Sequence, residues 1–264
     1  MPSYAALRQQ IENDFQHRYP SVLTPAARGI QEVSATGIVQ IDELLDGGLP
    51  VGAISEITGS ASSGRTTIAL AFLARRTQDR SSCAWIDAND NLDPESAAAN
   101  GVSLKHLLWV RCGNAPIEKS FPVIRRTSPN NQRPWTRLDQ AIRATDLLLQ
   151  AGGFAAIVLD LADEAIEHGR RIPLATWFRF RQTADRTRCT LVVLGKAAYA
   201  QSSAAVVLEC QPDQIDVATG TAIRGFNFSV GRGRIRFSPL TNIAFKPPAS
   251  TWSTQAPWSQ EKRA

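Results

Sequence analysis

One short stretch limits what this chain can fold into more than any other: a loop of small residues between a strand-like and a helix-like segment. Residues 54–58 alternate as a strand does, and residues 67–76 carry apolar side chains at helical spacing. Small residues let successive backbone N–H groups converge on an anion, and the following helix directs its positive end at the same point. We therefore predict a phosphate-binding loop with the sequence Gly59-Ser60-Ala61-Ser62-Ser63-Gly64-Arg65-Thr66-Thr67.

The loop matches the P-loop consensus G-x-x-x-x-G-K-[ST] except that Arg65 stands where lysine is expected. Asp160 ends an apolar strand-like run at residues 154–161, as the Walker B aspartate does. These features predict ATP and Mg²⁺ as cofactors, with Thr66 and Asp160 holding the metal. Arginine is longer than lysine and planar, so this substitution is not conservative. Either nucleotide binds in a displaced or weaker mode, or the loop no longer binds it.

Strand-like and helix-like segments alternate from residue 54 to residue 195, which predicts an α/β fold with a mostly parallel sheet covered by helices on both faces. Strand-like runs at residues 204–210, 226–230 and 234–237 follow. The last two are separated by Gly231-Arg232-Gly233, which we interpret as a turn. These later strands are expected to extend one edge of the sheet in the antiparallel sense.

Basic residues are concentrated in one stretch of a chain whose net charge is +5. Residues 113–137 are rich in proline and asparagine and predict a long insert loop at the surface. The stretch is a candidate contact for single-stranded DNA, and the alternative is a solvated loop that aids solubility. The arginines that we assign to DNA in this stretch, and in a second region after Asp160, are Arg125, Arg126, Arg133, Arg170 and Arg171.

The two ends of the chain predict elements outside the core. Residues 1–20 contain an amphipathic helix with Leu7, Ile11 and Phe15 on one face, which docks on its own domain, on a second copy or on another protein. Residues 247–264 hold Pro, Ser and Gln with two isolated tryptophans, Trp252 and Trp258, and predict a mobile tail.

The cysteines and the hydropathy pattern narrow the cellular setting. The four cysteines are far apart and form no C-x-x-C pair, which argues against a zinc site and for a reducing compartment. No apolar run approaches the length of a membrane span, and the first residues lack the apolar core of a signal peptide. We therefore expect a cytoplasmic protein without a membrane partner.

Several segments together resemble the bacterial recombinase RecA, over residues 36–245. The resemblance implies a RecA-like P-loop NTPase core, in which Asp93 contacts adenine. The segments that carry it are Gly48-Leu49-Pro50-Val51-Gly52-Ala53-Ile54-Ser55-Glu56-Ile57-Thr58-Gly59, the loop residues Ser62-Ser63-Gly64 and Thr66-Thr67, Cys83-Ala84-Trp85-Ile86-Asp87-Ala88, Leu92-Asp93-Pro94, Gly101-Val102 and the strand that ends at Asp160.

The chain departs from the RecA pattern at positions that matter for catalysis. Asn89 stands where the family has the glutamate that activates water, and an amide cannot accept that proton. Ser96 replaces the tyrosine that stacks on the base. Gly195-Lys196 replaces the Asn-Gln pair that senses the terminal phosphate, so Lys196 occupies a degenerate sensor position. The resemblance therefore implies weak or absent ATP hydrolysis.

A RecA-like core with eroded catalytic positions resembles the ImuA group, whose members accompany an inactive polymerase-like partner in damage-induced translesion synthesis. Three functions follow as hypotheses. The first is an ATP-binding accessory protein of the DNA-damage response that contacts single-stranded DNA, RecA or a polymerase-like protein. The second is an active DNA-dependent ATPase and recombinase, which Arg65, Asn89 and Lys196 argue against. The third is a protein-interaction module with a vestigial P-loop, which the intact glycines and Thr66 argue against.

Overall fold

The computed structural model describes residues 32–113, 136–217, 223–235 and 249–255. Three of our predictions lie outside these residues. They concern the amino-terminal helix at residues 1–20, most of the basic insert with Arg125, Arg126 and Arg133, and the part of the tail that holds Trp258.

The described residues form ten strands and six α-helices. The strands are β1 (Val33–Ser34), β2 (Leu49–Pro50), β3 (Ile54–Gly59), β4 (Cys83–Asp87), β5 (Leu107–Arg111), β6 (Ala156–Asp160), β7 (Thr190–Gly195), β8 (Ala204–Val217), β9 (Ile223–Ile235) and β10 (Ala249–Gln255). The helices are α1 (Val39–Leu44), α2 (Arg65–Gln78), α3 (Pro94–Ala99), α4 (Arg137–Ala151), α5 (Ile166–Arg170) and α6 (Leu174–Thr187).

Eight of these strands form one mixed sheet in the order β10-β9-β8-β3-β7-β6-β4-β5, and β1 pairs with β2 in a separate short ribbon. The strands from β8 to β5 in this order are parallel. Strand β9 is antiparallel to β8, and β10 is antiparallel to β9. The predicted fold class is confirmed, including the antiparallel extension at one edge.

The central strands bury both of their faces, because alternate side chains enter two separate cores. On β4, for example, Trp85 packs on the side of α1, α2 and α3, whereas Ile86 packs on the side of α4 and α6. Trp177 and Phe180 of α6 fill the second core and meet edge to face at 5.9 Å. No helix in the described part of the chain is long and apolar enough to cross a membrane.

The parallel strands bring the candidate functional residues to one edge of the sheet. Asp87 of β4 pairs in register with Asp160 of β6, and Thr58 of β3 pairs with Gly195 of β7. In open α/β sheets, ligands bind outside the carboxyl ends of the strands. The phosphate-binding loop leaves β3 at this same edge.

The predicted turn at Gly231-Arg232-Gly233 is wrong, because β9 is continuous from Ile223 to Ile235. Val207 of β8 pairs with Arg234, but its neighbour Leu208 pairs with Arg232, so Gly233 is an extra residue in the ladder. A glycine-bearing bulge of this kind bends and twists a strand without ending it. The glycines therefore mark a bulge and not a hairpin.

The predicted mobile tail at residues 247–264 is wrong for Ala249–Gln255, which forms strand β10 along the free edge of β9. Trp252 is only 5% exposed and stacks on Phe228 with ring centroids 4.7 Å apart. The small polar residues on either side of Trp252 hide the strand periodicity. Docking of one large side chain, together with the backbone ladder, orders the segment.

We expect Trp252→Ala to lower the free energy of unfolding by about 3 kcal/mol, since it removes a large buried ring. Urea unfolding followed by circular dichroism measures this change. Ser253→Ala, at the exposed neighbouring position, is the matched control and leaves stability nearly unchanged. Equal stability of the two variants would contradict the placement of Trp252 in the core.

Candidate phosphate-binding site

The loop between β3 and α2 has a backbone that depends on its two glycines. Gly64 has a φ of 84°, and a Cβ atom there would lie 2.9 Å from ring carbons of Phe228 and Trp252. A Cβ atom on Gly59 would lie 2.4 Å from Oγ of Ser63. The loop therefore folds back on itself and lies directly against the aromatic rings of β9 and β10.

The loop carries donors that suit an anion. The first N–H groups of a helix lack partners within that helix, and α2 begins at Arg65 immediately after the loop. Oγ of Ser63 is buried and has no hydrogen-bond partner within the described residues. Ser60, Ser62 and Thr66 are exposed around it. A glycine-bearing backbone with an unsatisfied buried hydroxyl fits the phosphate groups of a nucleotide.

Arg65 does not extend over the loop surface. Its side chain is buried, and its guanidinium donates hydrogen bonds to the carbonyl oxygens of Gly59, Gly195 (3.4 Å) and Ala162 (3.0 Å). One guanidinium nitrogen lies 3.9 Å from the carboxylate of Asp163. The side chain therefore ties the beginning of the loop to the ends of β6 and β7.

Asp160 lies at the end of β6, as its sequence context predicts, and is 6% exposed. Its carboxylate accepts a hydrogen bond from the N–H of Ala162 at 2.9 Å. Burial raises the pKa of Asp160 to about 6, and the nearby negative charges of Asp87 and Asp163 raise it as well. The Ala162 N–H and the charge of Arg65 oppose that rise. Asp160 is therefore a buried carboxylate that a cation would favour in its ionised form.

Asp87, at the end of β4, is a site residue that the sequence analysis missed. Its fully buried carboxylate accepts hydrogen bonds from the N–H groups of Asn89 (3.3 Å), Asn91 (3.0 Å) and Leu92 (2.9 Å). It also accepts one from the indole nitrogen of Trp109 at 3.2 Å. Asp87 therefore shapes the turn that presents Asn89. An aspartate whose carboxylate accepts hydrogen bonds from the backbone N–H groups just after it is typical of turns. The residue type at position 87 could therefore have identified this role from sequence.

The side chains in this turn differ in their hydrogen bonding. Nδ2 of Asn89 is buried with no hydrogen-bond partner in the described part of the chain. Asn91 donates a hydrogen bond to the carboxylate of Asp163. Asp90 accepts two hydrogen bonds of 2.6 Å from Arg111, whose guanidinium lies 4.7 Å from the centre of the Trp109 ring. The pKa of Asp90 is lowered mainly by the Arg111 hydrogen bonds. The Asp90 carboxylate is thus already paired with an arginine and is not free to act as a general base.

Lys196 lies at the end of β7, close to the same group of residues. Its Nζ donates a hydrogen bond to the backbone carbonyl of Asp163 at 3.1 Å. The structure thus brings Arg65, Asp160 and Lys196 to the carboxyl edge of the sheet, with Asp163 between the two basic side chains.

Glu56 and Tyr199 hold the segment that follows Lys196, and sequence reasoning identified neither. Oε1 of Glu56 accepts hydrogen bonds from the N–H groups of Tyr199 (2.5 Å) and Ala200 (2.9 Å). The Tyr199 ring is 3% exposed and so close to Gly169 and Gly195 that a Cβ atom on either would lie within 2.6 Å of it. The strand that leads into the loop is therefore connected to β7 and to α5.

Asp93 and Ser96 begin α3, the helix that follows β4. The carboxylate of Asp93 accepts hydrogen bonds from the Ser96 hydroxyl (2.5 Å) and from the N–H groups of Glu95 and Ser96 (both 3.2 Å). The Ser96 hydroxyl is the main cause of the lowered pKa of Asp93, and the two N–H groups add to it. Asp93 is thus the N-cap of a short helix, and both side chains are exposed.

The remaining candidate residues lie apart from the loop. Arg170 and Arg171 are exposed at the end of the short helix α5. All four cysteines are buried free thiols, and burial raises the pKa of Cys83, Cys189 and Cys210 to about 12. Among the described residues, no group of three or more His, Cys, Asp and Glu side chains is arranged to hold a metal ion.

Comparisons with known proteins agree with this geometry. Residues 4–118 match the RecA N-terminal domain family. The RecA protein of Crocosphaera subtropica is 41% identical over 99 residues, which are 38% of this chain and 28% of that protein. The RecA protein of Cutibacterium acnes is 35% identical over 159 residues, which are 59% of this chain and 38% of that protein.

The fold agrees with a solved recombinase structure. The crystal structure of the RadB recombinase superposes with a TM-score of 0.53 at 14% identity, and the match covers 84% of this chain and 96% of that one. The alignments with the two RecA proteins above span 28% and 38% of those relatives' lengths. The amino-terminal part of the chain is thus similar to RecA, and the whole fold is similar to that of a RecA-like recombinase.

Proposed function

We propose that this protein is a RecA-like protein of DNA repair or recombination that binds ATP and Mg²⁺ at residues 59–67 and hydrolyses ATP weakly or not at all. The observation that carries the proposal is the direction of Arg65. Its guanidinium is bound by three backbone carbonyls inside the protein. The charge that a P-loop lysine extends to the phosphates is used here to hold the loop together.

Nucleotide binding does not require the lysine, because backbone N–H groups supply most of the phosphate cradle. In this chain the loop backbone and the buried hydroxyl of Ser63 would hold the phosphates. Thr66 and Asp160 would hold Mg²⁺, which neutralises phosphate charge when it is bound. The raised pKa of Asp160 supports this role, since a nearby cation stabilises a buried carboxylate in its ionised form.

Hydrolysis depends on side chains that this chain lacks. Asn89 cannot act as a general base. Lys196 and Arg65 both donate to backbone carbonyls, so neither is directed at a terminal phosphate. Removal of a general base costs on the order of 10²–10⁴-fold in rate. These observations favour the binding protein over an active recombinase.

The partners follow from the same family context. We propose that the protein acts beside RecA or a polymerase-like protein in damage-induced translesion synthesis, as the ImuA group does, and that it contacts single-stranded DNA. The net charge of +5 and the exposed Arg170 and Arg171 support a nucleic-acid partner. Residues 1–20 remain our candidate for association with a second copy or with RecA.

The first prediction of the proposed function concerns turnover. We expect the wild-type protein to release phosphate from ATP far more slowly than an active RecA, and the double variant Arg65→Lys with Asn89→Glu to be faster. The gain requires both changes, because the lysine reaches the phosphates and the glutamate accepts the proton. Phosphate release with and without single-stranded DNA measures the rate, and each single variant is a control. Rapid, DNA-stimulated turnover by the wild-type protein would overturn the proposal.

The second prediction concerns pH and Asp160 in the absence of Mg²⁺. The pKa of this carboxyl rises from 3.8 to about 6 on folding, so its contribution to stability is full below pH 3.8 and is lost as the pH rises through 6. Asp160→Asn cannot ionise and keeps an oxygen for the Ala162 N–H. We therefore expect the variant to be more stable than wild type at pH 8, by up to about 3 kcal/mol, and equally stable near pH 4.

Urea unfolding at the two pH values measures this difference, and Asp185→Asn is the control because Asp185 is an exposed carboxylate of α6. A variant that is less stable than wild type at pH 8 would show that the charge of Asp160 already has a sufficient partner in the free protein.

The third prediction concerns DNA. We expect replacement of Arg125, Arg126 and Arg133 by alanine, alone and with Arg170→Ala and Arg171→Ala, to weaken single-strand binding. The slope of log affinity against log salt should decrease by about 0.7 for each phosphate contact that is lost. Fluorescence anisotropy with a labelled oligonucleotide measures both quantities. Arg75→Ala with Arg143→Ala, two exposed arginines of α2 and α4, is the control for loss of positive charge elsewhere on the surface. An equal slope in all variants would remove these arginines from the DNA interface.

A further inference from the structure

Strands β8, β9 and β10 extend beyond the end of β3 and form a wall beside the phosphate-binding loop. Gly59, the last residue of β3, pairs with Cys210 of β8, and Cys210 pairs with Val230 of β9. Strand β8 continues past this level to Val217, with β9 beside it. The wall therefore extends beyond the carboxyl edge of the sheet, where a ligand bound at the loop would lie.

One face of this wall is aromatic. Phe226, Phe228 and Val230 are two residues apart on β9 and so lie on the same face. The rings of Phe228 and Trp252 contact Gly64 so closely that a Cβ atom on Gly64 would be 2.9 Å from both. Because Phe228 contacts the loop, the face that it shares with Phe226 is the one turned toward the loop.

Exposure increases along this face with distance from the loop. Val230, level with the end of β3, is 0% exposed, Phe228 is 7% exposed and Phe226 is 43% exposed. The Phe226 ring stacks on Phe228 at 6.3 Å with an interplanar angle of 27°. One side of the Phe226 ring thus packs on the stacked Phe228–Trp252 pair, and the exposed part of the ring is open to a ligand.

Helix α3 follows β4, which lies on the other side of β3 from β8 in the sheet order, and this helix carries no aromatic side chain. It begins after Asp93, whose carboxylate accepts a hydrogen bond of 2.5 Å from the Ser96 hydroxyl. A nucleotide anchored by its phosphates at the amino end of α2 must place its base against one of the two sides. A planar base gains most from an aromatic surface, since base–aromatic stacking is favourable whatever the base identity.

We propose that Phe226 is the stacking platform for the base of the nucleotide whose phosphates bind the loop, which makes it a binding residue of this site. The proposal rests on the proposed function and deepens it. A purine presents a larger face than a pyrimidine, so the site would favour ATP over CTP.

The experiment compares Phe226→Ala with wild type for two ligands that share their phosphates, Mg·ATP and Mg·tripolyphosphate, by titration calorimetry. Tripolyphosphate has no base, so it reports on the loop alone. We expect Phe226→Ala to weaken ATP on the order of tenfold and to leave tripolyphosphate unchanged. Phe226→Trp should retain the ATP affinity. The matched control is Phe178→Ala, which removes a ring that is 52% exposed on α6, on the other face of the sheet.

The other outcomes separate the two proposals. If Phe226→Ala binds ATP as tightly as wild type does, and also binds tripolyphosphate as tightly, the stacking role is overturned and the phosphate site stands. Equal weakening of both ligands would mean that Phe226 acts only by supporting the loop, which also overturns it. If neither ligand binds the wild-type protein, the proposed function fails together with this inference. A loss of self-association by light scattering, with unchanged ATP affinity, would identify the Phe226 surface as a contact between copies of the chain and overturn base stacking.

Discussion

The hydrogen bonds of the Arg65 guanidinium are the interaction on which the candidate site depends. A buried guanidinium is costly unless its N–H groups have partners, and here they meet carbonyl oxygens of Gly59, Ala162 and Gly195. These oxygens belong to three different strand ends or the residues just after them. One side chain therefore connects the loop to the two strands that carry Asp160 and Lys196. A lysine has a single nitrogen on a flexible stem, so it could not hold the same three groups in a planar fork.

The same arrangement explains the charge balance at the edge of the sheet. Asp87 and Asp160 are adjacent and buried, and the buried Arg65 is a positive group that acts on Asp160. Asp87 is stabilised by four N–H donors, but Asp160 accepts one hydrogen bond and its pKa is raised. The free protein thus retains one carboxylate whose ionised form lacks full compensation. A site that needs a cation to complete it has this property.

Residue patterns predicted the fold well because each central strand is buried on both faces and each long helix has an apolar stripe. Predictions failed where long-range contacts decide. The glycines near residue 232 suggested a turn, but the ladder with β8 absorbs Gly233 as a bulge. The segment around Trp252 has no period of its own, and only the free edge of β9 and the ring of Phe228 make it a strand. Motif matching found the loop and Asp160, since those residues follow local rules.

The direction of Arg65 and the Glu56–Tyr199 contacts could not be predicted from sequence, because they depend on contacts between residues that are 97 to 143 positions apart. These contacts explain why substitution affects the two activities of a P-loop differently. Phosphate binding relies on backbone N–H groups, whose positions depend on glycines and on the contacts that hold the loop in place. Hydrolysis relies on particular side chains at particular strand ends. A chain can therefore lose its general base and redirect its P-loop cation into the protein while the cradle itself keeps its shape, so retained binding with lost turnover is the outcome that this combination of residues favours.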